Sequence, residues 1–141
     1  MLNNDIKPFF SVVIPLYNKQ SHIKETIESV LNQTFQDFEI VVVNDGSKDD
    51  RIRLIHQENA GVSVARNRGI KEAISDYVAF LDADDLWKID YLETIYDLIQ
   101  KHPNAGLYAT AYEMQSKNKT RKLKIKGFEF NATLMLRTSL R

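Results

Sequence analysis

Tyr77-Val78-Ala79-Phe80-Leu81-Asp82-Ala83-Asp84-Asp85 is a short apolar run that ends in three carboxylates. An apolar block of this length, closed by polar residues, has the make-up of a strand buried on both faces. Such a strand delivers Asp82, Asp84 and Asp85 together as it leaves the core. Carboxylates this close repel one another and stay ionised together only with positive charge between them. A hard divalent cation, Mg²⁺ or Mn²⁺, supplies that charge through oxygen ligands and commonly brings a substrate's phosphates with it. The competing reading is local, since acidic side chains suit the N-terminus of a following helix. D-x-D is too short to decide between the two, and the rest of the chain tips the balance toward the cation.

Outward from this strand, apolar residues recur alternately in strand-like blocks and at helical spacing. Phe10-Ser11-Val12-Val13-Ile14-Pro15 is a β-rich run closed by a proline, which cannot donate to a central ladder. Ser21 then offers a cap for a helix with Ile23, Ile27, Val30 and Leu31 on one face. Phe38-Glu39-Ile40-Val41-Val42-Val43 is a second strand, ended by Asn44-Asp45-Gly46-Ser47, and residues 52–56 offer a third. Val62, Ala65, Gly69, Ile70, Ala73 and Ile74 mark the inner face of a second helix; Ile89, Leu92, Ile95, Tyr96 and Ile99 mark that of a third. Pro103-Asn104 stops the third helix, and residues 105–112 read as a further strand. This alternation predicts an α/β domain with a mostly parallel sheet and helices on both faces. Ligands of such sheets bind beyond the carboxyl ends of the strands. Three polar clusters fall there: Pro15-Leu16-Tyr17-Asn18, Asn44-Asp45-Gly46-Ser47, and Asp82 with Asp84 and Asp85.

Bulk properties narrow the class. The 141 residues are one domain's worth of chain, 43% hydrophobic and 27% charged, as expected of a globular protein with a proper core. A formal net charge of zero gives no electrostatic footprint for nucleic acid. The absence of cysteine rules out a disulfide framework or thiolate metal site and suits a reducing, cytoplasmic setting. No signal peptide and no apolar stretch of bilayer-spanning length are expected. His22, His56 and His102 lack metal-ligand spacing.

With these residues in place, the chain resembles glycosyltransferase family 2, the inverting enzymes of the GT-A fold. The resemblance rests on an ordered series. It runs from Val12-Val13-Ile14-Pro15-Leu16-Tyr17-Asn18 through Ser29-Val30-Leu31-Asn32-Gln33-Thr34 to Val43-Asn44-Asp45-Gly46-Ser47. Asn59-Ala60-Gly61-Val62-Ser63-Val64-Ala65-Arg66-Asn67-Arg68-Gly69 and Phe80-Leu81-Asp82-Ala83-Asp84-Asp85-Leu86-Trp87 complete it. It implies a single GT-A (Rossmann-like) domain over residues 1–141. Residues 9–112 would form the donor-binding portion and 113–141 part of the acceptor side.

The resemblance further implies a nucleoside diphosphate sugar donor, a uridine diphosphate sugar by family frequency, and a hydroxyl acceptor in polysaccharide or glycoconjugate synthesis. Pro15 would belong to the substrate-binding loop, Tyr17 would stack on the base, and Asp45 would accept a hydrogen bond from it. Arg66 would reach the base or phosphates, Asp82 would lie near the ribose, and Asp84 would hold the Mn²⁺ or Mg²⁺ that bridges the diphosphate. Tyr17, Asp45 and Arg66 have plainer alternatives: a half-buried tyrosine, a turn aspartate, a surface arginine. Gly61 and Gly69 suit a turn and close packing. Trp87 suits either packing or a sugar-side aromatic.

Two departures from the family pattern stand out. The general base of the family is an acidic residue far downstream, and here nothing after residue 130 is acidic, so no base is named. Between Gly46 and Arg51 only four residues remain, where family members usually carry a helix. A parallel crossover ordinarily needs a dozen residues. The third strand is therefore expected to be displaced or antiparallel, unless residues are missing and the domain is incomplete. These departures keep open a second reading, a non-catalytic nucleotide-binding or interaction remnant of the family. The basic series Lys117, Lys119, Arg121, Lys122, Lys124 and Lys126 suits a lysine-protected hairpin or edge strand. It also leaves room for peripheral contact with the inner face of a membrane, or with a lipid-linked acceptor.

Overall fold

The computed structural model describes residues 6–16, 19, 21–43, 52–58, 60–116, 119–123 and 134–137. Strand β1 (Phe10–Pro15) is central, with parallel β2 (Phe38–Val43) on one side and parallel β4 (Tyr77–Phe80) on the other. Strand β3 (Ile52–Ile55) lies outside β2, also parallel. Beyond β4 come β8 (Leu134–Arg137) and β5 (Leu107–Ala109), giving the order β3-β2-β1-β4-β8-β5. β8 runs antiparallel to both its neighbours. A separate antiparallel hairpin pairs β6 (Tyr112–Ser116) with β7 (Lys119–Leu123). The mostly parallel α/β sheet expected from the sequence is thus present.

Alternation along β1 sorts its side chains onto two helical layers. Phe10, Val12 and Ile14 face one core with Ile23 and Val30 of α1 (Ile23–Leu31) and Leu92, Ile95 and Ile99 of α3 (Tyr91–Lys101). Val13 faces the other, with Val41, Val78 and the half-buried Ile70 and Ala73 around α2 (Val62–Glu72). A Cβ built on Gly69 would fall 2.2 Å from Val13 Cγ1, so α2 rests directly on β1 through a missing side chain. Gly61, with φ of 92°, takes a left-handed turn that opens α2. Glu39 is buried within β2, and its carboxylate accepts bonds from Ser11 Oγ (2.6 Å), Ile74 N (3.0 Å) and Arg53 Nε (3.0 Å). That satisfied network locks the amino edge of the sheet, away from the acidic loop.

Several local expectations need correction. β3 is neither displaced nor antiparallel; Ile52 pairs with Ile40 and Ile55 with Val43. Residues 44–51 allow a reach of about 30 Å, against a return path of about 11 Å for so short a strand, so no helix is needed. His22 rather than Ser21 is the α1 cap, and its side chain makes no capping bond. Val62, Ile74 and Ile89 are exposed, because each sits at or just outside a helix end and beyond its buried stripe. The strand expected over residues 105–112 is two strands, and β8, which the sequence reading left out, lies between β4 and β5. The basic segment begins as the expected hairpin, with Lys119 and Arg121 exposed.

Candidate functional site

The strand order places a topological switch between β1 and β4: the chain moves outward from β1 to β2 and β3, then returns to β1's other side. At such a point the loops leaving adjacent strands diverge and open a crevice at the carboxyl edge. Pro15 ends β1 there, paired with Val43, and Leu81 N donates to Val13 O at 3.1 Å as β4 leaves the sheet. Leu81 and Ala83 keep buried positions, while Asp82 is half-buried and Asp84 exposed between and beyond them. The apolar–acidic alternation therefore sends both carboxylates outward at the switch.

Two cations meet them. Lys19, on the loop from β1 to α1, places Nζ 2.6 Å from Asp84 Oδ2. Arg66, in the second turn of α2, places a guanidinium nitrogen 2.7 Å from Asp82 Oδ1. The Lys19 bond holds the Asp84 carboxyl below its usual pKa, and Asp84 in turn raises that of Lys19. Asp85 shifts the other way: desolvation first, then Asp82 and Asp84, push its carboxyl up against a smaller opposing pull from Lys19. Arg66 thus joins the acidic cluster. Tyr17 and Asp45 lie outside the described residues.

The acidic loop is held from behind by α1. Thr26 Oγ1 lies 2.9 Å from both Ala83 O and Asp85 O, and Asp85 N donates to Asp82 O at 3.0 Å to close the turn. Ser29 Oγ accepts from Trp87 N at 3.2 Å. Buried Gln33 donates through Nε2 to Lys88 O (2.7 Å) and Ser29 O (3.0 Å), and its Oε1 accepts from Leu92 N at 2.9 Å. Ser29, Gln33 and Thr34 stand in the family-matched series of the sequence, and Thr26 lies outside it. A polar residue at a position in phase with Ile23 and Val30 was the available signal. Trp87 is buried and stacks on Tyr91 at 4.4 Å, and its Nε1 has no hydrogen-bond partner among the described residues. It packs behind the loop.

Among the described residues no group of three or more acidic or histidine side chains converges as a metal cage. The donor set is one or two carboxylates at the carboxyl edge of the sheet. That fits Mg²⁺ or Mn²⁺, which take few protein ligands and complete their shell with water and substrate phosphates.

Comparison with known proteins agrees with this geometry. The family model "Glycosyl transferase family 2" matches residues 11–140. Glycosyltransferase GlyA of Streptococcus pneumoniae is 40% identical over 105 residues, 65% of this chain and 15% of that protein. The uncharacterized glycosyltransferase YibD of Escherichia coli is 46% identical over 98 residues, 60% of this chain and 28% of that protein. Residues 1–349 of Staphylococcus aureus TarS, solved in complex with UDP-GlcNAc, superpose with a TM-score of 0.72 at 25% identity. That superposition covers 94% of this chain and 47% of TarS 1–349, so the chain spans under half the length of these relatives. With the matching family model and the GT-A-like sheet of TarS, the chain belongs to glycosyltransferase family 2.

Proposed function

We propose that this chain is the donor-binding portion of an inverting glycosyltransferase that uses a uridine diphosphate sugar and a divalent cation held by Asp84. One observation carries the reading: Asp82 and Asp84 leave β4 at the switch point beside Pro15, faced by Arg66 and Lys19. Oxygen ligands and cationic side chains at one crevice are the two things a diphosphate needs. The complex of TarS 1–349 with UDP-GlcNAc supports the choice of nucleotide.

In this reading Tyr17 and Asp45 receive the base, Asp82 the ribose, and Arg66 the base or phosphates. The cation, when bound, offsets charge developing on the departing diphosphate. An acceptor hydroxyl attacks the anomeric carbon from the opposite face as the bond to the diphosphate oxygen breaks; its proton goes to a base this chain does not identify. Donor binding belongs to residues 9–112 and the acceptor side begins in residues 113–141. No helix among the described residues is long and apolar enough to cross a membrane. The cysteine-free chain and the exposed Lys119 and Arg121 suit a cytoplasmic protein that meets a lipid-linked acceptor at an anionic surface.

Calorimetric titration of uridine diphosphate into the chain, with and without Mn²⁺, tests this. Metal-dependent binding that disappears in Asp84→Ala is expected. Metal-independent binding, or an Asp84→Ala variant with unchanged affinity, overturns the cation assignment. A folded chain that binds no uridine nucleotide overturns the donor assignment.

A further inference from the structure

We propose that Lys19 is the site's resident cation, holding the place on Asp84 that a divalent metal takes over, so that the two compete. The inference rests on Asp84 being the metal ligand and adds a control on that ligand. Lys19 Nζ already sits 2.6 Å from Asp84 Oδ2, a charge-assisted hydrogen bond on the carboxylate the metal needs. A divalent ion binds a carboxylate oxygen at about 2 Å, and an ammonium on the same oxygen would then stand against a double positive charge almost in contact. Both cannot stay.

The geometry also supplies a way out. The Lys19 side chain is 47% exposed and the Asp84 side chain 38% exposed, so solvent reaches the ion pair. A lysine is a point charge on a four-carbon stem and redirects without disturbing the backbone. It springs from the loop that follows β1, on the crevice side of the switch, where a metal-bound diphosphate would present its oxygens. Asp82 is differently placed, because Arg66 rather than Lys19 meets it, at 2.7 Å. Metal arrival therefore exchanges one partner of Lys19 for another: carboxylate in the empty site, diphosphate in the filled one.

This exchange gives Lys19 opposite effects on the two binding steps. Without nucleotide, the lysine competes with the metal; with nucleotide, it helps hold the metal–diphosphate pair. An exposed ion pair is weak, so the competitive effect amounts to a few-fold in affinity. Lys19 lies in an exposed loop position, and Lys19→Met removes the charge while keeping the length of the stem.

The test is titration of the 141-residue chain with Mn²⁺ alone, following the free ion by electron paramagnetic resonance, then repeating it at saturating uridine diphosphate. Lys19→Met should tighten Mn²⁺ about twofold to fivefold without nucleotide. It should weaken Mn²⁺ in the presence of uridine diphosphate, and Lys19→Arg should stay near the parent in both. If Mn²⁺ binds in an Asp84-dependent manner and Lys19→Met binds it equally or less tightly without nucleotide, the competition is overturned while the role of Asp84 stands. If neither the parent nor Lys19→Met binds Mn²⁺, with native circular dichroism in both, the cation reading and this inference fall together.

Discussion

The hydroxyl of Thr26, inside α1, lies 2.9 Å from the carbonyl oxygens of both Ala83 and Asp85. One buried side chain thus bridges a helix to the backbone on either side of Asp84. The position of the acidic loop is a property of α1 packing as much as of β4. Thr26→Val keeps the shape and removes the hydroxyl, whose single hydrogen the two carbonyls share. It should cost about 1–2 kcal/mol in a denaturant melt. It should also shift the emission of Trp87, the chain's one tryptophan, and weaken metal-dependent nucleotide binding several-fold. Unchanged nucleotide affinity would separate the loop's position from the bond.

Gln33 serves the same loop further along. Gln33→Leu fits the buried space yet strips the partners from Lys88 O and Leu92 N at the start of α3. A loss of about 1–3 kcal/mol is expected, since a buried group left unpaired carries its desolvation cost. Hydrogen exchange at the Leu92 amide should accelerate. A stable variant with a protected Leu92 amide contradicts this role.

Gly69 has no room for a side chain. Gly69→Ala places a methyl carbon against Val13 Cγ1, whose β-branched side chain is fully buried in a central strand. Overpacking of this kind costs about 1–3 kcal/mol. In a Val13→Ala background the same substitution should cost much less, a coupling that a double-mutant cycle reads directly. Equal costs in both backgrounds would show that α2 does not bear on β1 at this point.

The acidic cluster makes stability depend on pH in two opposing ways. The Asp84 carboxyl is held below its ordinary value of 3.8 by Lys19, so its contribution is present above that value and lost as pH falls through the lower folded one. The Asp85 carboxyl is raised by desolvation and by its acidic neighbours, so the folded chain holds its proton more tightly than the unfolded one. What it contributes is full below 3.8 and lost as pH rises through the higher folded value. Asp85→Asn should therefore melt at a higher temperature than the parent at pH 7 without metal, and the gap should close as pH drops below 3.8. A gap independent of pH would place its cause elsewhere.

Much of this architecture is legible in one dimension. The valine-rich blocks of β1 and β2 are buried on both faces, so their strand character shows as continuous apolar runs without help from context. Leu92, Ile95 and Ile99 recur at helical spacing for the same reason, and Asp82 and Asp84 stand apart because two carboxylates seldom close an apolar run. Helix ends were read less well, as Ser21, Val62, Ile74 and Ile89 show: burial there depends on where the neighbouring layer stops, and no local pattern encodes that. The β3 register escaped a rule of thumb about crossover length, because the required length depends on how far the chain must return. β8 was missed because a four-residue strand draws its stability from the neighbours it pairs with.

By itself, then, the sequence determined the alternation of strands and helices, the layers on both sides of the sheet and the acidic exit of β4, all of which follow from apolar periodicity and composition. Only the tertiary structure decided which charges meet. Lys19 and Asp84 are 65 residues apart, and Arg66 and Asp82 are 16 apart. No local periodicity relates them, since each pair forms only when β1, α2 and β4 are laid side by side in the sheet. The same holds for Thr26 and Gln33, whose polar groups are satisfied by a loop that α1 meets only after folding.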